Sequence, residues 1–331
     1  MTKIDIHAHI IVPEISRAAA PEETWRPMVT WDEGRQWVDF GGKRISSALR
    51  EFVDIETILA EQDKAGVDVV VLTPWSSLFR YEPDLEASIR ANRIQNDALA
   101  RLAAAYRPRV AALGTVPLQN SDAAVAELKR AINDLGLLGV EIGTNVNGTY
   151  LGDPRFRPFW AAAEALGAFV EIHPVAGIGG SAKRDYYLWN AYANPAETAL
   201  TAAHMIMSGL LEEHPQLKIC LFHGGGHLPY QIGRLDRAYD MRPEARQRLS
   251  APPSTHFKKL YFDTITHSAA ALAYLIDQVG VGQVMMGSDY PFDMGYERPT
   301  EIIEQLSGLS EADKQAITGH NAQRLLGLEL R

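Results

Sequence analysis

The sequence predicts an α/β protein of the (β/α)8 class, a TIM barrel with an insertion after its first strand. Short β-branched segments bounded by Gly or Pro alternate with longer segments whose apolar residues recur at helical spacing, which gives eight strand candidates in 331 residues. The short segments are almost continuously apolar, as expected for parallel strands that helices cover on both faces. An open α/β sheet is the alternative, because the number of strands does not distinguish the two.

The predicted strands are segments of four or five residues. In chain order they are Lys3 to Ile6, Asp68 to Leu72, Val110 to Leu113, Gly139 to Ile142, Phe169 to Ile172, Lys218 to Phe222, Lys259 to Phe262 and Gln283 to Met286. The predicted helices include Ile55 to Ala65, Leu85 to Tyr106, Ser121 to Leu135, Phe156 to Leu166, Pro195 to Glu213 and Ala269 to Val279.

Residues 11–53 interrupt this alternation between the first strand and the first helix. They contain three tryptophans (Trp25, Trp31 and Trp37) and charges without a clear period. In a barrel, such an insertion lies over the mouth and contributes to the substrate site, while a surface excursion or an oligomer contact is the alternative. The chain has no internal repeat, low-complexity tract or linker, so we expect residues 1–331 to form a single domain.

Composition and charge exclude several classes of protein. The chain is 46% hydrophobic and 22% charged, which is typical of globular proteins. Its 32 basic and 41 acidic residues give a net charge of -9 without a basic stripe, so no nucleic-acid partner is expected. A single cysteine, Cys220, excludes an intramolecular disulfide. No apolar segment approaches the ~18 to 20 residues of a membrane span, and no leader precedes Lys3. We therefore expect a cytoplasmic protein without membrane contact, and we expect its partner to be a small molecule.

Chemically active side chains occur at the C-terminal ends of the strand candidates. His7 and His9 follow the first strand, and two residues apart in an extended chain their rings point to the same side. His173, His223 and Asp289 end the fifth, sixth and eighth candidates. Imidazole and carboxylate suit Zn²⁺ or Mn²⁺, and this edge carries the active site of barrel enzymes. The five together predict a metal centre, although any one alone is also explained by a structural hydrogen bond.

Two other motifs are weaker. The sequence His223-Gly224-Gly225-Gly226 matches the oxyanion-hole motif of esterases, but the chain lacks the G-x-S-x-G elbow that this activity needs. Gly177 to Ala182 matches a loose dinucleotide-binding fingerprint, but it does not lie in the βαβ unit that such a site requires. We therefore interpret this segment as a loop at the barrel mouth. Among the remaining histidines, only His267 follows a strand closely enough to reach this mouth.

Motifs along nearly the whole chain resemble those of the amidohydrolase superfamily, in its branch typified by aminocarboxymuconate semialdehyde decarboxylase. They are Asp5 to His9, Leu113 to Gln119, Gly139 to Thr144, His173-Pro174, Pro195 to Thr198, Phe222 to Gly226, Gly287 to Phe292 and Gly319 to Ala322. The resemblance implies a single metal ion, Zn²⁺ or alternatively Mn²⁺, held by His7, His9, His173 and Asp289 with a water molecule. His223 is then the unligated acid/base, with Asp289 sharing the proton transfer, and no organic cofactor is expected.

The function implied is decarboxylation of a small unsaturated or phenolic carboxylic acid. The alternatives are a hydrolase or hydratase that uses the same activated water on a lactone, amide or enol acid, and a barrel that binds metal without catalysis. The fourth strand lacks the lysine of carbamylated two-metal centres, and nothing beside Glu141 completes such a centre.

The residues that bind the acid depart from the family pattern. The family's carboxylate-binding arginine matches Ser46, so Arg44 and Arg50 nearby are the substrate-binding candidates. A family tryptophan matches Asn190, beside Trp189, and Phe292 matches an aromatic wall of the pocket. Finally, Arg234 matches an arginine that reaches into the neighbouring subunit's site, which predicts a homodimer.

Overall fold

The fold is described by a computed structural model that covers residues 2–17, 26–32, 35–40, 43–45, 50–81, 84–175 and 177–329. Its strands are β1 (Ile4–Ile10), β2 (Met28–Asp32), β3 (Arg35–Phe40), β4 (Lys43–Ile45), β5 (Val69–Pro74), β6 (Val110–Ala112), β7 (Gly139–Gly143), β8 (Asn145–Val146), β9 (Thr149–Tyr150), β10 (Phe169–His173), β11 (Lys218–Leu221), β12 (Tyr261–Asp263) and β13 (Val284–Met285).

The α-helices lie mostly between these strands. They are α1 (Pro13–Arg17), α2 (Ile55–Ala65), α3 (Leu85–Ala105), α4 (Ser121–Asn133), α5 (Arg157–Leu166), α6 (Asn194–Met207), α7 (Leu210–Glu213), α8 (Leu228–Met241), α9 (Pro243–Arg246), α10 (Pro253–Phe257), α11 (Ala269–Val279), α12 (Thr300–Glu304), α13 (Glu311–Gln315) and α14 (Asn321–Leu326). Within the described ranges, every helix is too short or too polar to cross a lipid bilayer.

The α/β class is confirmed, and each of the eight predicted strands occurs. They form two parallel sheets, of order β1-β5-β6 and β13-β12-β11-β10-β7. Beyond β6, Gly114 forms a parallel bridge with Val140 of β7, and Ala8 of β1 forms one with Tyr290 beyond β13. Backbone hydrogen bonds also cross both boundaries, including Ile6 N to Met286 O at 3.0 Å. Strands that follow each other in this series are therefore neighbours, and the first also contacts the last.

Both faces of these strands are buried. Along β10, Val170 and Ile172 join the large apolar cluster that contains Phe159 and Trp160 of α5. Phe169 points the other way, into a cluster with Ile4 and residues of neighbouring strands. Burial on both faces explains why the strand sequences are nearly continuously apolar instead of alternating.

Most predicted helix bounds agree with the structure, and two departures have physical reasons. The segment predicted as one helix from Pro195 to Glu213 is two helices, α6 and α7, because Gly209 adopts a left-handed conformation (φ 77°) that ends the first. Helix α8 was not predicted; it buries only Leu228, Pro229 and Ile232, and a glycine in its interior, Gly233, weakens the helical pattern of its sequence.

The described part of residues 11–53 contains α1 and an antiparallel sheet of order β2-β3-β4. Its end is anchored at the strand ends, because Phe52 O accepts a hydrogen bond from Ile11 N (2.8 Å) and the Phe52 ring packs on Trp75 and Phe292. Trp25 and Ser46, singled out in the sequence, lie outside the described residues.

Candidate active site

Four of the predicted side chains converge at the C-terminal ends of the parallel strands. His7 and His9 lie within β1, two residues apart and on the same face, and their Nε2 atoms are 3.1 Å from each other. Asp289 Oδ1 lies 3.3 Å from His7 Nε2 and 3.4 Å from His9 Nε2. The ring of His173, at the end of β10, is centred 5.7 Å from the ring of His7 and 5.1 Å from that of His9. All four side chains are buried.

The hydrogen bonds of the three rings direct the same nitrogen atom towards this centre. Each Nδ1 has an oxygen partner: Asp263 Oδ2 at 2.8 Å for His7, Thr73 Oγ1 at 3.0 Å for His9 and Pro174 O at 2.9 Å for His173. The carbonyl of Pro174 and the carboxylate of Asp263 can only accept, so the tautomer with hydrogen on Nδ1 is favoured and leaves the Nε2 lone pair free.

This arrangement fits a divalent cation. Asp289 Oδ1 is buried without a hydrogen-bond donor among the described residues, although two imidazole nitrogens lie within 3.4 Å. Free Nε2 lone pairs and a carboxylate oxygen repel one another at such distances unless a proton or a cation lies between them. Three imidazoles and one carboxylate are a common donor set for Zn²⁺ and are also accepted by Mn²⁺.

Charges in the cluster support the same interpretation. Burial acts to lower the pKa of His7, but the Asp289 and Asp263 carboxylates outweigh it and raise this pKa to about 10. Burial lowers the pKa of His9, and that of His173 lies well below its usual value through burial and the adjacent imidazoles. The site thus favours one positive charge beside Asp289 while two of its rings stay neutral.

His223 follows β11 at the edge of this cluster. Its Nε2 lies 3.4 Å from Asp289 Oδ2, and its side chain is partly exposed to the adjacent cavity. Its backbone adopts a left-handed conformation (φ 55°), which is held by hydrogen bonds from His223 N and Gly224 N to the carboxylate of Asp263. A ligand atom of His223 lies within 4.8 Å of those of His7, His173 and Asp289, so the ring is within reach of the reaction centre.

Two further carboxyl groups beside the cluster were not assigned roles from the sequence. Asp263, the last residue of β12, contacts both His7 and the His223 turn, and its position at a strand end was the signal that could have indicated it. Glu141 of β7 lies 3.9 Å from His9 Nδ1 and forms a second potential ligand group with His9 and His173. Burial raises the pKa of Glu141 to about 8.

A cavity of about 600 Å³ opens beside the histidines. His173, His223, Asp289 and the predicted substrate-binding residues Trp189 and Phe292 line it, together with Trp75, Phe79, Tyr81, Arg80, Lys183, Asn190 and Asn194 among others. It combines an aromatic lining with the candidate metal ligands and with cationic and amide side chains, as expected for a small-molecule site.

The three predicted arginines do not line this cavity. Arg44 is exposed on β4, where its guanidinium lies 4.9 Å from the Trp37 ring. Arg50 lies 4.5 Å above the ring of Tyr290, and Arg234 is exposed on α8. Their roles in substrate binding stay predictions.

His223 also lines a second cavity, of about 750 Å³. Its lining is mainly apolar and includes Pro229, Tyr230, Tyr274, Leu275 and Met294, and also His267. His267 is therefore near the strand ends, as its position in the sequence suggested, but it faces this second cavity.

Backbone strain is concentrated around the first cavity. Seven described non-glycine residues have positive φ, and four of them line it: Arg80, Asn147, His223 and Asp289. Such conformations cost about 1–3 kcal/mol each and are common at functional sites. Sequence reasoning missed Arg80 and Asn147; Asn147 had a local signal, because Asn147-Gly148 is the two-residue turn between β8 and β9 and Asn-Gly is typical of such turns.

Comparison with known proteins identifies relatives along the whole chain. The family model described as Amidohydrolase matches residues 4–328. The chain is 32% identical to 2-amino-3-carboxymuconate-6-semialdehyde decarboxylase of Dictyostelium discoideum over 333 residues, which cover 99% of this chain and 92% of that protein.

Two solved structures of similar fold are those of decarboxylases. One is 2,6-dihydroxybenzoate decarboxylase in complex with 2,6-dihydroxybenzoate, at 27% identity and a TM-score of 0.81, with 99% of each chain covered. Another is a dihydroxybenzoic acid decarboxylase from Polaromonas with bound manganese, whose likeness concerns the fold alone (23% identity, TM-score 0.81, 100% of this chain and 98% of that chain covered).

Proposed function

Because the chain belongs to the amidohydrolase family, we propose that it is a metal-dependent carboxy-lyase, without an organic cofactor, that acts on a small phenolic or unsaturated carboxylic acid. Its decarboxylase relatives support the carboxy-lyase assignment. The observation that carries the proposal is the convergence of three imidazole rings and Asp289, with His223 beside them, at a cavity with an aromatic lining.

In this proposal, His7, His9, His173 and Asp289 hold the cation, with Zn²⁺ as the first choice and Mn²⁺ as the alternative. When bound, the cation supplies a Lewis acid that polarises a substrate oxygen and withdraws electron density from the reacting carbon. The bonds from Nδ1 to Asp263, Thr73 and Pro174 hold the rings in the ligating tautomer.

His223 supplies the proton in the chemical step. The bond between the substrate carbon and its carboxylate breaks, CO₂ leaves, and the bonding electron pair stays on that carbon. His223 Nε2 then donates a proton to the carbon, and the ring regains a proton from solvent, to which its side chain is partly exposed. Asp289 Oδ2, 3.4 Å away, orients the ring.

The aromatic side chains of the cavity hold the substrate in place. Trp189 and Phe292 provide flat surfaces for a ring or a conjugated chain, and Phe292 is centred 5.4 Å from the ring of His9. Arg44 and Arg50 remain candidates for contact with an acid that approaches over residues 11–53.

We also propose that the two parallel sheets form one closed (β/α)8 barrel, in a single domain over residues 1–331 with residues 11–53 as an insertion. The parallel bridges and hydrogen bonds at both boundaries between the sheets support closure. A cytoplasmic location agrees with a chain whose single cysteine, Cys220, is buried and free.

A homodimer is part of this proposal. Tyr186 and Tyr230 are 92% and 81% exposed, and Tyr192, Tyr274 and Met241 are also exposed. Exposed aromatic side chains are typical of protein interfaces, and Arg234 lies on the same helix as Tyr230. Light scattering of the purified protein tests this part: a monomer at micromolar concentration would contradict it.

The test of the activity is CO₂ release by the protein loaded with Zn²⁺ or Mn²⁺, from a panel of hydroxybenzoates and unsaturated semialdehyde acids. We expect His223→Gln to retain the metal and to lower kcat by roughly 10²- to 10⁴-fold, the usual contribution of a general acid. His320→Gln, at an exposed histidine, is the matched control and should leave kcat unchanged. Hydrolysis of a ring lactone without CO₂ release from any acid would instead favour a hydrolase.

A further inference from the structure

Residues 182–193, between β10 and α6, form a segment with little support from the rest of the fold. Its backbone hydrogen bonds are local, as in the bond from Leu188 N to Asp185 O at 2.9 Å. All residues from 184 to 189 are exposed, and Tyr186 is 92% exposed. Local hydrogen bonds and few buried contacts are typical of segments that open without unfolding the rest of the protein.

A long-range hydrogen bond connects this segment to the chain beyond β13. Tyr187 OH donates to Asp293 Oδ1 at 3.1 Å, across 106 positions of the sequence. Asp293 belongs to a turn that follows the proposed metal ligand Asp289 and is well supported, because Phe292 N donates to Asp289 O and Gly295 N to Phe292 O, both at 3.1 Å. The Tyr187 hydroxyl therefore connects a weakly supported segment to a firmly held one.

The surroundings of Tyr187 favour this hydrogen bond. Burial and the carboxylates of Asp293 and Asp289 raise the pKa of Tyr187 above its usual value, so the hydroxyl keeps the proton that it donates. Tyr186 and Tyr187 both adopt a left-handed backbone conformation (φ 51° and 63°), which is unfavourable for residues with a Cβ. Such conformations persist where other interactions hold them, and the bond to Asp293 is an interaction of this kind.

The same bond joins two aromatic parts of the cavity lining. Trp189 follows Tyr187 by two residues, and the two rings are in contact with centroids 5.2 Å apart. Phe292 immediately precedes Asp293, and both Trp189 and Phe292 line the cavity beside the proposed metal ligands. Trp189 is also 42% exposed, so it lies at the mouth of this cavity. Loss of the hydrogen bond would release Trp189 from the side of the cavity that carries Phe292.

We propose that Tyr187 and Asp293 are positioning residues whose hydrogen bond closes residues 182–193 as a lid over this cavity, with Trp189 held against a bound acid. The open lid admits the substrate. The closed lid excludes water while His223 transfers its proton, as lids do in other enzymes. This inference rests on the proposed function, because the acid that the lid covers is the one that the cavity decarboxylates.

The direct test is hydrogen–deuterium exchange of the full chain with Zn²⁺ present, read from peptides that cover residues 182–193. Tyr187→Phe removes only the hydroxyl and should speed exchange in these peptides roughly two- to tenfold, as the loss of one hydrogen bond allows. Asp293→Ala should have the same effect, whereas Asp293→Asn keeps an accepting oxygen and should retain most of the protection. Tyr186→Phe is the matched control and should exchange as wild type, because the Tyr186 hydroxyl has no hydrogen-bond partner within the described ranges.

Saturating benzoate, an unreactive acid, should slow exchange of residues 182–193 in wild type, because a ligand beneath the lid favours the closed state. The inference is overturned if benzoate leaves this exchange unchanged, if Tyr187→Phe exchanges as wild type, or if Asp293→Asn loses as much protection as Asp293→Ala. Release of CO₂ is measured separately: its absence contradicts the proposed function, whereas the exchange data decide the role of the lid in either case. Equal melting temperatures of the variants exclude a global folding defect as the cause.

Discussion

Asp263 is the residue whose replacement tests most directly how the site is held. Its Oδ2 accepts hydrogen bonds from His7 Nδ1 (2.8 Å) and His223 N (2.9 Å). Its Oδ1 accepts from Gly224 N (2.7 Å) and Ile265 N (3.1 Å). The perturbation is Asp263→Asn, which keeps the shape of the side chain but replaces one accepting oxygen with a donating NH₂ group.

The magnitude follows from these four bonds. In either orientation of the amide, two N–H donors that were paired face another donor. Each buried, unpaired donor costs about 1–3 kcal/mol, so the free energy of unfolding should fall by about 2–6 kcal/mol, or by about 1–3 kcal/mol where a change of the His7 tautomer removes one of the two clashes. When the NH₂ group faces His7, Nδ1 becomes an acceptor and the ring proton moves to Nε2, the atom proposed to bind the metal. Loss of such a partner typically weakens metal binding ten- to hundredfold, about 1.4–2.7 kcal/mol.

The assay is a competition titration of Zn²⁺ against a chromophoric chelator, together with urea unfolding of the metal-free protein. Asp5→Asn is the matched control, because Asp5 is equally buried but contacts His7 only through its backbone N–H (3.1 Å). Asp5 also accepts a hydrogen bond from Ser288 Oγ, and in Asp5→Asn this hydroxyl can rotate to accept a hydrogen bond from the new NH₂ group. Metal affinity equal to wild type in Asp263→Asn, or an equal loss in Asp5→Asn, would refute the assigned role of Asp263.

Three other predictions concern stability. In urea unfolding, Gly226→Ala should lower the free energy of unfolding by several kcal/mol more than Gly327→Ala. Both glycines are left-handed (φ 62° and 64°), but only at Gly226 would a Cβ lie 1.9 Å from Pro195 O. Equal losses in the two variants would contradict this expectation. Although burial opposes it, hydrogen bonds from a backbone amide and the His214 ring hold the pKa of Glu164 below its usual value. Glu164→Gln should therefore lower the free energy of unfolding by its full amount above the unfolded pKa of about 4.3, and this difference from wild type should vanish as the pH falls through the folded pKa. Urea unfolding at several pH values measures the difference, and a difference that persists in acid would refute the prediction. Chelation should lower the melting temperature, and Zn²⁺ or Mn²⁺ should restore it, because a ligand that binds only the folded state stabilises that state; an unchanged melting temperature would argue against a bound metal.

Much of the fold could be predicted because its signals are local. Burial on both faces makes the strands continuously apolar, and the amphipathic helices α2 and α11 have the predicted bounds. The helix break at Gly209 and the helix α8 were missed for opposite reasons. A glycine ends the first of these where a continuous helix was predicted, whereas the second continues through a glycine, Gly233, that weakens a helical pattern.

The meeting of His7, His9, His173 and Asp289 was also predictable, since parallel strands bring their carboxyl ends to one edge. The sequence position of a motif at the C-terminal end of a strand therefore indicates its approximate position in the fold. The resemblance to a known family added the roles of these residues, which strand position alone does not contain.

What the sequence by itself determined is the order of strands and helices, the α/β class and the collection of imidazoles and carboxylates at one edge. Only the tertiary structure decided which tautomer each ring adopts, that Asp263 connects His7 to the His223 turn, and that Lys183 lines the cavity while Arg44 and Arg50 do not. The physical reason is that hydrogen bonds and ion pairs depend on separations of a few ångströms between residues that are far apart in the chain. Loops such as the one that carries Lys183 have no period from which those separations follow.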